Sequence, residues 1–123
     1  MVEFYKKVGK IIDRDSRYKA DAYEFVLRAL WFTQEKLKRK GHCSGQELLL
    51  GIQEFSLLQY GNMSITVFEH WGVRTTEDFG RIVYNMIENG IMGKDEKDSL
   101  DDFKDVYDFR EAFRIREDYR FSP

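Results

Sequence analysis

Apolar residues recur along this chain at helical spacing up to about residue 87, and glycines with short polar breaks divide the runs. Residues 2–12 place Val2, Tyr5, Val8 and Ile12 near one face, with Phe4 and Ile11 beside it and Lys6, Lys7 and Lys10 on the other side. That is the pattern of a short amphipathic helix with a solvated basic face. Residues 13–18 break it. A long central helix is predicted over 19–39, where Tyr23, Val26, Leu27, Leu30, Trp31 and Leu37 follow the 3.6-residue period and Phe25, Ala29 and Phe32 widen the apolar side. Lys36, Lys38, Arg39 and Lys40 crowd its end, where cations complement the macrodipole, and Gly41 can close it.

Ser44-Gly45-Gln46-Glu47 matches a capping box, with Ser44 and Glu47 each able to satisfy the other's backbone amide. The helix it opens carries Leu48, Leu49, Ile52 and Phe55 and stops at Gly61. Asn62 can cap a shorter helix over 63–71, ended by Gly72. Thr75 or Thr76 caps the next, with Asp78 three residues beyond Thr75, and Phe79, Ile82, Val83, Met86 and Ile87 then hold the strictest helical spacing in the chain before Gly90.

After Gly90 the pattern changes. Residues 91–94 and 105–109 read as two short strands of a hairpin with a long polar loop between them. From Phe109 onward both periods fit: Tyr107, Phe109, Phe113, Ile115, Tyr119 and Phe121 share strand parity, whereas Phe109, Ala112, Phe113 and Arg116 suit a helix. The order of elements predicts a mainly α chain with a small β-hairpin. It is a helical bundle containing a winged-helix-like unit, in which helices 63–71 and 76–89 form the helix-turn-helix and the hairpin forms the wing. One domain is expected over 1–123, made of an N-terminal helical pair (1–41), the winged-helix-like unit (42–109) and a tail (110–123) that packs on the domain or on a partner.

Composition narrows the function classes. With 42% apolar and 34% charged residues, the 123-residue chain has enough apolar material for a core, and its 15% aromatic content makes rings the main filling. The longest apolar run, Ala29-Leu30-Trp31-Phe32, is far too short for a membrane span, and the N-terminal residues do not read as a signal peptide. Cys43 is the only cysteine, so an intrachain disulfide and a four-cysteine zinc site are excluded and a cytoplasmic location is expected. The formal charge of −2 divides unevenly: +5 over 1–41, −4 over 42–90 and −3 over 91–123.

No catalytic, cofactor-binding or metal-ligating set emerges. His42, Cys43 and His70 lack zinc-ligand spacing; the acidic stretch 95–108 lacks the EF-hand positions; and Gly90-Ile91-Met92-Gly93-Lys94 is not a P-loop. Cys43, just before a capped helix and next to His42, is the one nucleophile candidate, for a small enzyme. On the would-be recognition helix the outward positions are Glu77, Asp78, Arg81, Tyr84, Asn85 and Glu88, where acids outnumber bases and would repel phosphate. Arg81, Tyr84 and Asn85 are therefore the candidate interaction surface for a protein. The expectation is a non-catalytic protein-interaction or self-association module, as a homodimer; the alternative is a winged-helix nucleic-acid-binding regulator.

Four motifs together resemble a family of small bacterial proteins of unknown function, named after a locus tag. They are Asp15-Ser16-Arg17-Tyr18 with Ala22-Tyr23-Glu24-Phe25-Val26; Ser44-Gly45-Gln46-Glu47-Leu48-Leu49; Trp71-Gly72-Val73 with Thr76-Glu77-Asp78-Phe79-Gly80 and Ile82-Val83-Tyr84; and Asp98-Ser99 with Asp102-Phe103 and 105–109. The resemblance spans roughly residues 13–113. It implies a cytoplasmic bacterial domain and assigns no residue a role.

Overall fold

The computed structural model describes residues 2–39, 41, 43–93 and 99–114. Helix α1 (Val2–Arg14) runs into a short connection, and α2 (Ala20–Leu37) packs back along it. Helix α3 (Gly45–Tyr60) lies against α2, a 3-10 turn (Gly61–Met63) leads into α4 (Ser64–Trp71), and α5 (Thr76–Glu88) completes the bundle against α2. A 3-10 turn (Leu100–Phe103) then docks on α3 and α5, and the single helical turn α6 (Phe109–Ala112) follows it.

Local chemistry accounts for the helix starts. Ser44 Oγ accepts from the Glu47 amide at 3.0 Å and Glu47 returns a carboxylate to the Ser44 amide at 3.0 Å. Removing that acceptor with Ser44→Ala should destabilise the fold by about 1 kcal/mol, read as a shift in the urea midpoint; an unchanged midpoint would show that the box adds nothing. At α5 the returning arm is Asp78, whose Oδ2 takes the amides of Arg74 and Thr75 at 2.8 and 3.1 Å. Helix α4 begins at an N-cap, Met63, with no side-chain bond, so Asn62 does not cap it. Its start is tied instead by Ser64, whose buried hydroxyl lies 2.7 Å from that of Ser56 and 2.9 Å from the Gly61 carbonyl. Helix α2 ends at Lys38, in left-handed geometry, before Gly41 is reached.

Apolar faces meet in one core. Phe4, Val8 and Ile11 are its α1 contribution, one step around the helix from the predicted Val2–Tyr5 side, both of which are exposed. Phe68 sits at the centre, wholly buried, with ring centroids of Phe25, Phe79, Phe109 and Phe113 between 5.0 and 5.6 Å away.

The predicted β-hairpin is not formed: the described residues contain helices and turns and no strand. Ile91 and Met92 instead complete the end of α5. Gly90 takes a positive φ of 72°, which glycine adopts without a Cβ penalty, and the Gly90 and Ile91 amides return to the Ile87 and Met86 carbonyls at 3.1 and 2.8 Å. This double bond pattern is a Schellman motif, and its apolar residue packs back on the helix. The second predicted strand, 105–109, starts at a residue with φ 49° and bonds to helices: the Val106 amide donates to Thr76 Oγ1 at 3.3 Å, and the Tyr107 hydroxyl to the Leu49 carbonyl at 2.8 Å. With neither strand there is no wing. The tail begins as a helical turn whose Phe109, Ala112 and Phe113 are buried in the chain's own core. Residues 115–123, like 94–98 and His42, lie outside the described residues.

Candidate interaction surface

Arg81 and Asn85 are half-buried, and both are engaged in hydrogen bonds. The connection between α1 and α2 crosses α5 beside them, and a polar network joins the two. Tyr18 donates to Asp78 Oδ1 at 2.5 Å, and Arg81 Nη1 donates to the same oxygen at 2.9 Å. With the Arg74 and Thr75 amides on its other oxygen, the Asp78 carboxylate is saturated with donors. One turn on, Asn85 Nδ2 donates to the Tyr23 hydroxyl at 3.1 Å and lies 3.5 Å from Asp15 Oδ2. Tyr84 is half-buried between them in sequence. Burial, then the Asp78 carboxylate, pushes the Tyr18 phenol up to about 12. The same crossing is fixed by backbone: the Lys19 amide donates to the Trp71 carbonyl at 3.1 Å.

Asp15, half-buried, carries this network out to the exposed Arg17. Its carboxylate takes Arg17 Nε and Nη2 at 2.9 and 2.7 Å, and the guanidinium holds it down at about 2. A carboxyl held below its unfolded value near 4 adds stability that is complete above about pH 4 and is lost as the pH falls to 2. Arg17→Gln should therefore lower the thermal midpoint slightly at pH 6, as befits an exposed pair, and match the native chain at pH 2. A gap that persists unchanged at pH 2 would assign the effect to packing.

Cys43 is half-buried ahead of Ser44. Burial, and then Glu47, push its thiol up, with Arg39 opposing, so its environment does not make a reactive thiolate. His70 is exposed on α4. Among the described residues no three His, Cys, Asp or Glu side chains come together as a metal site, and no helix is long and apolar enough to cross a membrane.

The structure places exposed apolar side chains elsewhere, on the solvent side of α3. Leu50 and Leu58 are 59% and 68% exposed, and Leu57 lies half-buried on the same side. Glu54, between them, is ion-paired to Lys36 of α2. A signal for this face exists in the sequence. Three successive leucines, 48 to 50, turn through 200° of helix, so a core that takes Leu48 and Leu49 leaves Leu50 outside.

Searches against protein-family models, curated proteins and solved structures find no match to this chain.

Proposed function

We propose that the chain is a non-catalytic, cytoplasmic interaction module that docks through the solvent side of α3, with a second copy of itself as the partner. The observation that carries this reading is the exposure of Leu50 and Leu58, two turns apart on one face. Burying a leucine side chain is worth about 1.5–3 kcal/mol, so two from each copy are a substantial drive to associate. A symmetric contact centred on α3 brings Glu54 near its counterpart, and the Lys36 pairing answers that like charge from within each copy. Arg81, on the Asp78 carboxylate that also holds Tyr18, and Asn85, on the Tyr23 hydroxyl and beside Asp15, serve to tie α5 to α2 and the 15–18 connection rather than acting as contact residues. The nucleic-acid alternative loses the wing on which it rested.

Sedimentation equilibrium tests this reading. The full chain is expected to sediment as a dimer at tens of micromolar or below, an affinity of about −6 kcal/mol or better. Leu50→Glu/Leu58→Glu should sediment as a monomer with unchanged helical content. A native chain that stays monomeric at millimolar concentration would refute the self-association.

A further inference from the structure

The C-terminal end of the described chain lies at the edge of the α3 face. Gln53 stands one turn from both Leu50 and Leu57, and its Nε2 donates to the Ala112 carbonyl of α6 at 3.0 Å. One turn back along α3, the Leu49 carbonyl takes the Tyr107 hydroxyl, so two bonds hold this part of the chain along the helix. Phe109, Ala112 and Phe113 turn into the core, and Arg114 is exposed. The chain therefore leaves the bundle beside Leu50 and Leu57. Residues 115–123 follow, and their sequence is apolar at Ile115, Tyr119 and Phe121. These three share one parity, so an extended course sets them on one side, with Glu117 the one charge among them.

The size of the contact decides which face these residues cover. A specific, stable protein contact buries about 800 Å² on each partner. Helix α3 has 16 residues; at about 24 Å long and about 10 Å wide, its footprint is roughly 240 Å². A contact along α3 alone falls well short. If residues 115–123 lay on the face of their own copy, they would cover Leu50 and Leu58 and take away the little that α3 offers. On the face of the other copy they add to the contact instead. Symmetry puts that face within reach. A two-fold axis at Glu54 passes one residue from Gln53, and packed helices lie about 8–10 Å apart, which about three extended residues span. We propose that residues 115–123 cross to the second copy and lie along its α3 face, with Ile115 at the crossing and Tyr119 and Phe121 against the partner's Leu57 and Leu58, the partner returning the same segment. This rests on the α3 dimer and names the segment that completes it.

Ile115→Ser/Tyr119→Ser/Phe121→Ser keeps the length and charges of the segment, and circular dichroism confirms that the helices remain. In sedimentation equilibrium its dimer should be weaker than the native one by about tenfold or more, because three apolar side chains per copy are lost from the contact. Cross-linking reports the position. In a Cys43→Ser background, which removes the native thiol, a Leu58→Cys chain mixed with a tagged Phe121→Cys chain should oxidise to a covalent dimer of intermediate mass. Leu58→Cys/Phe121→Cys in one chain should likewise give dimers; a disulfide closed within a single chain would overturn the exchange. So would a mixture that forms no dimer of intermediate mass. A triple-serine chain that dimerises as tightly as the native one, or more tightly, would also overturn it. If Leu50→Glu/Leu58→Glu still abolishes that dimer, the exchange alone fails and the α3 contact stands, whereas a native chain that is monomeric at millimolar concentration removes both.

Discussion

Phe68→Ala is expected to cost about 3–5 kcal/mol, a large part of the 5–15 kcal/mol that holds a domain of this size together. Phe68 is wholly buried and its ring touches four rings from three other elements: Phe25 of α2, Phe79 of α5, and Phe109 and Phe113 at the C-terminal turn. Truncation there leaves a cavity bounded by other rings, which are stiff and cannot collapse into it, so the cavity share of the cost remains. Phe68→Leu keeps much of the volume and loses the edge-to-face contacts, and should fall between the two. Guanidinium unfolding of the three proteins reads these differences directly. The contrast is Leu58→Ala, equally apolar but exposed, which should shift stability by no more than about 0.5 kcal/mol. A Phe68→Ala chain that unfolds within about 1 kcal/mol of the native one would show that the ring cluster does not centre on this residue.

The helices were legible because their signals are local. A capping box such as Ser44 with Glu47 lies within four residues, and the stripe Phe79, Ile82, Val83 and Met86 lies on one face of α5; all four of those residues are buried. The hairpin was misread because a strand is defined by a partner that the sequence does not name. Ile91 and Met92 are as apolar as a strand requires, yet their amides are used to close α5. Contacts distant in sequence were hidden for the same reason. Gly45 and Gly80 read as a cap neighbour and a helix position, but they form a notch for Phe103: a Cβ would fall 2.9 Å from that ring at Gly45 and 2.8 Å at Gly80. The candidate surface divides along the same line. Arg81 and Asn85 are at outward angles of an isolated α5, and only the crossing of residues 15–18, which sets Tyr18 on Asp78 and Asp15 beside Asn85, shows the network they join. Leu50 was legible in principle, as is Trp31: the four apolar residues from Ala29 to Phe32 turn through 300°, too wide for one core, and Trp31 is the one left 51% exposed.

Gly51→Ala should destabilise the fold by about 2 kcal/mol, although helix propensity alone predicts a gain of about 1 kcal/mol from the same change. The two effects have opposite signs, and the geometry decides between them. Gly51 faces α2 where the two helices cross, and a Cβ built there falls 1.7 Å from Thr33 Oγ1 and 2.9 Å from Thr33 Cβ. Rotating Thr33 away does not relieve the second contact, and it breaks the buried bond from Thr33 Oγ1 to the Ala29 carbonyl at 2.7 Å. The helices must then separate, which loosens the Phe25–Phe55 and Phe32–Phe55 ring contacts on the same interface. Thr33→Ala removes the hydroxyl and methyl that the new Cβ meets, so Gly51→Ala/Thr33→Ala should recover at least half of the loss. Thr33→Ala alone should cost about 1 kcal/mol for the missing bond and methyl. Urea unfolding of the four proteins closes a double-mutant cycle whose coupling term should be stabilising in the double variant. Because Lys36 and Glu54 pair across the same crossing, a looser α2–α3 contact also releases Glu54 between Leu50 and Leu58. Gly51→Ala should therefore weaken the proposed dimer as well, and the Thr33→Ala suppressor should restore both together. A Gly51→Ala chain more stable than the native one would mean that α2 and α3 do not approach this closely.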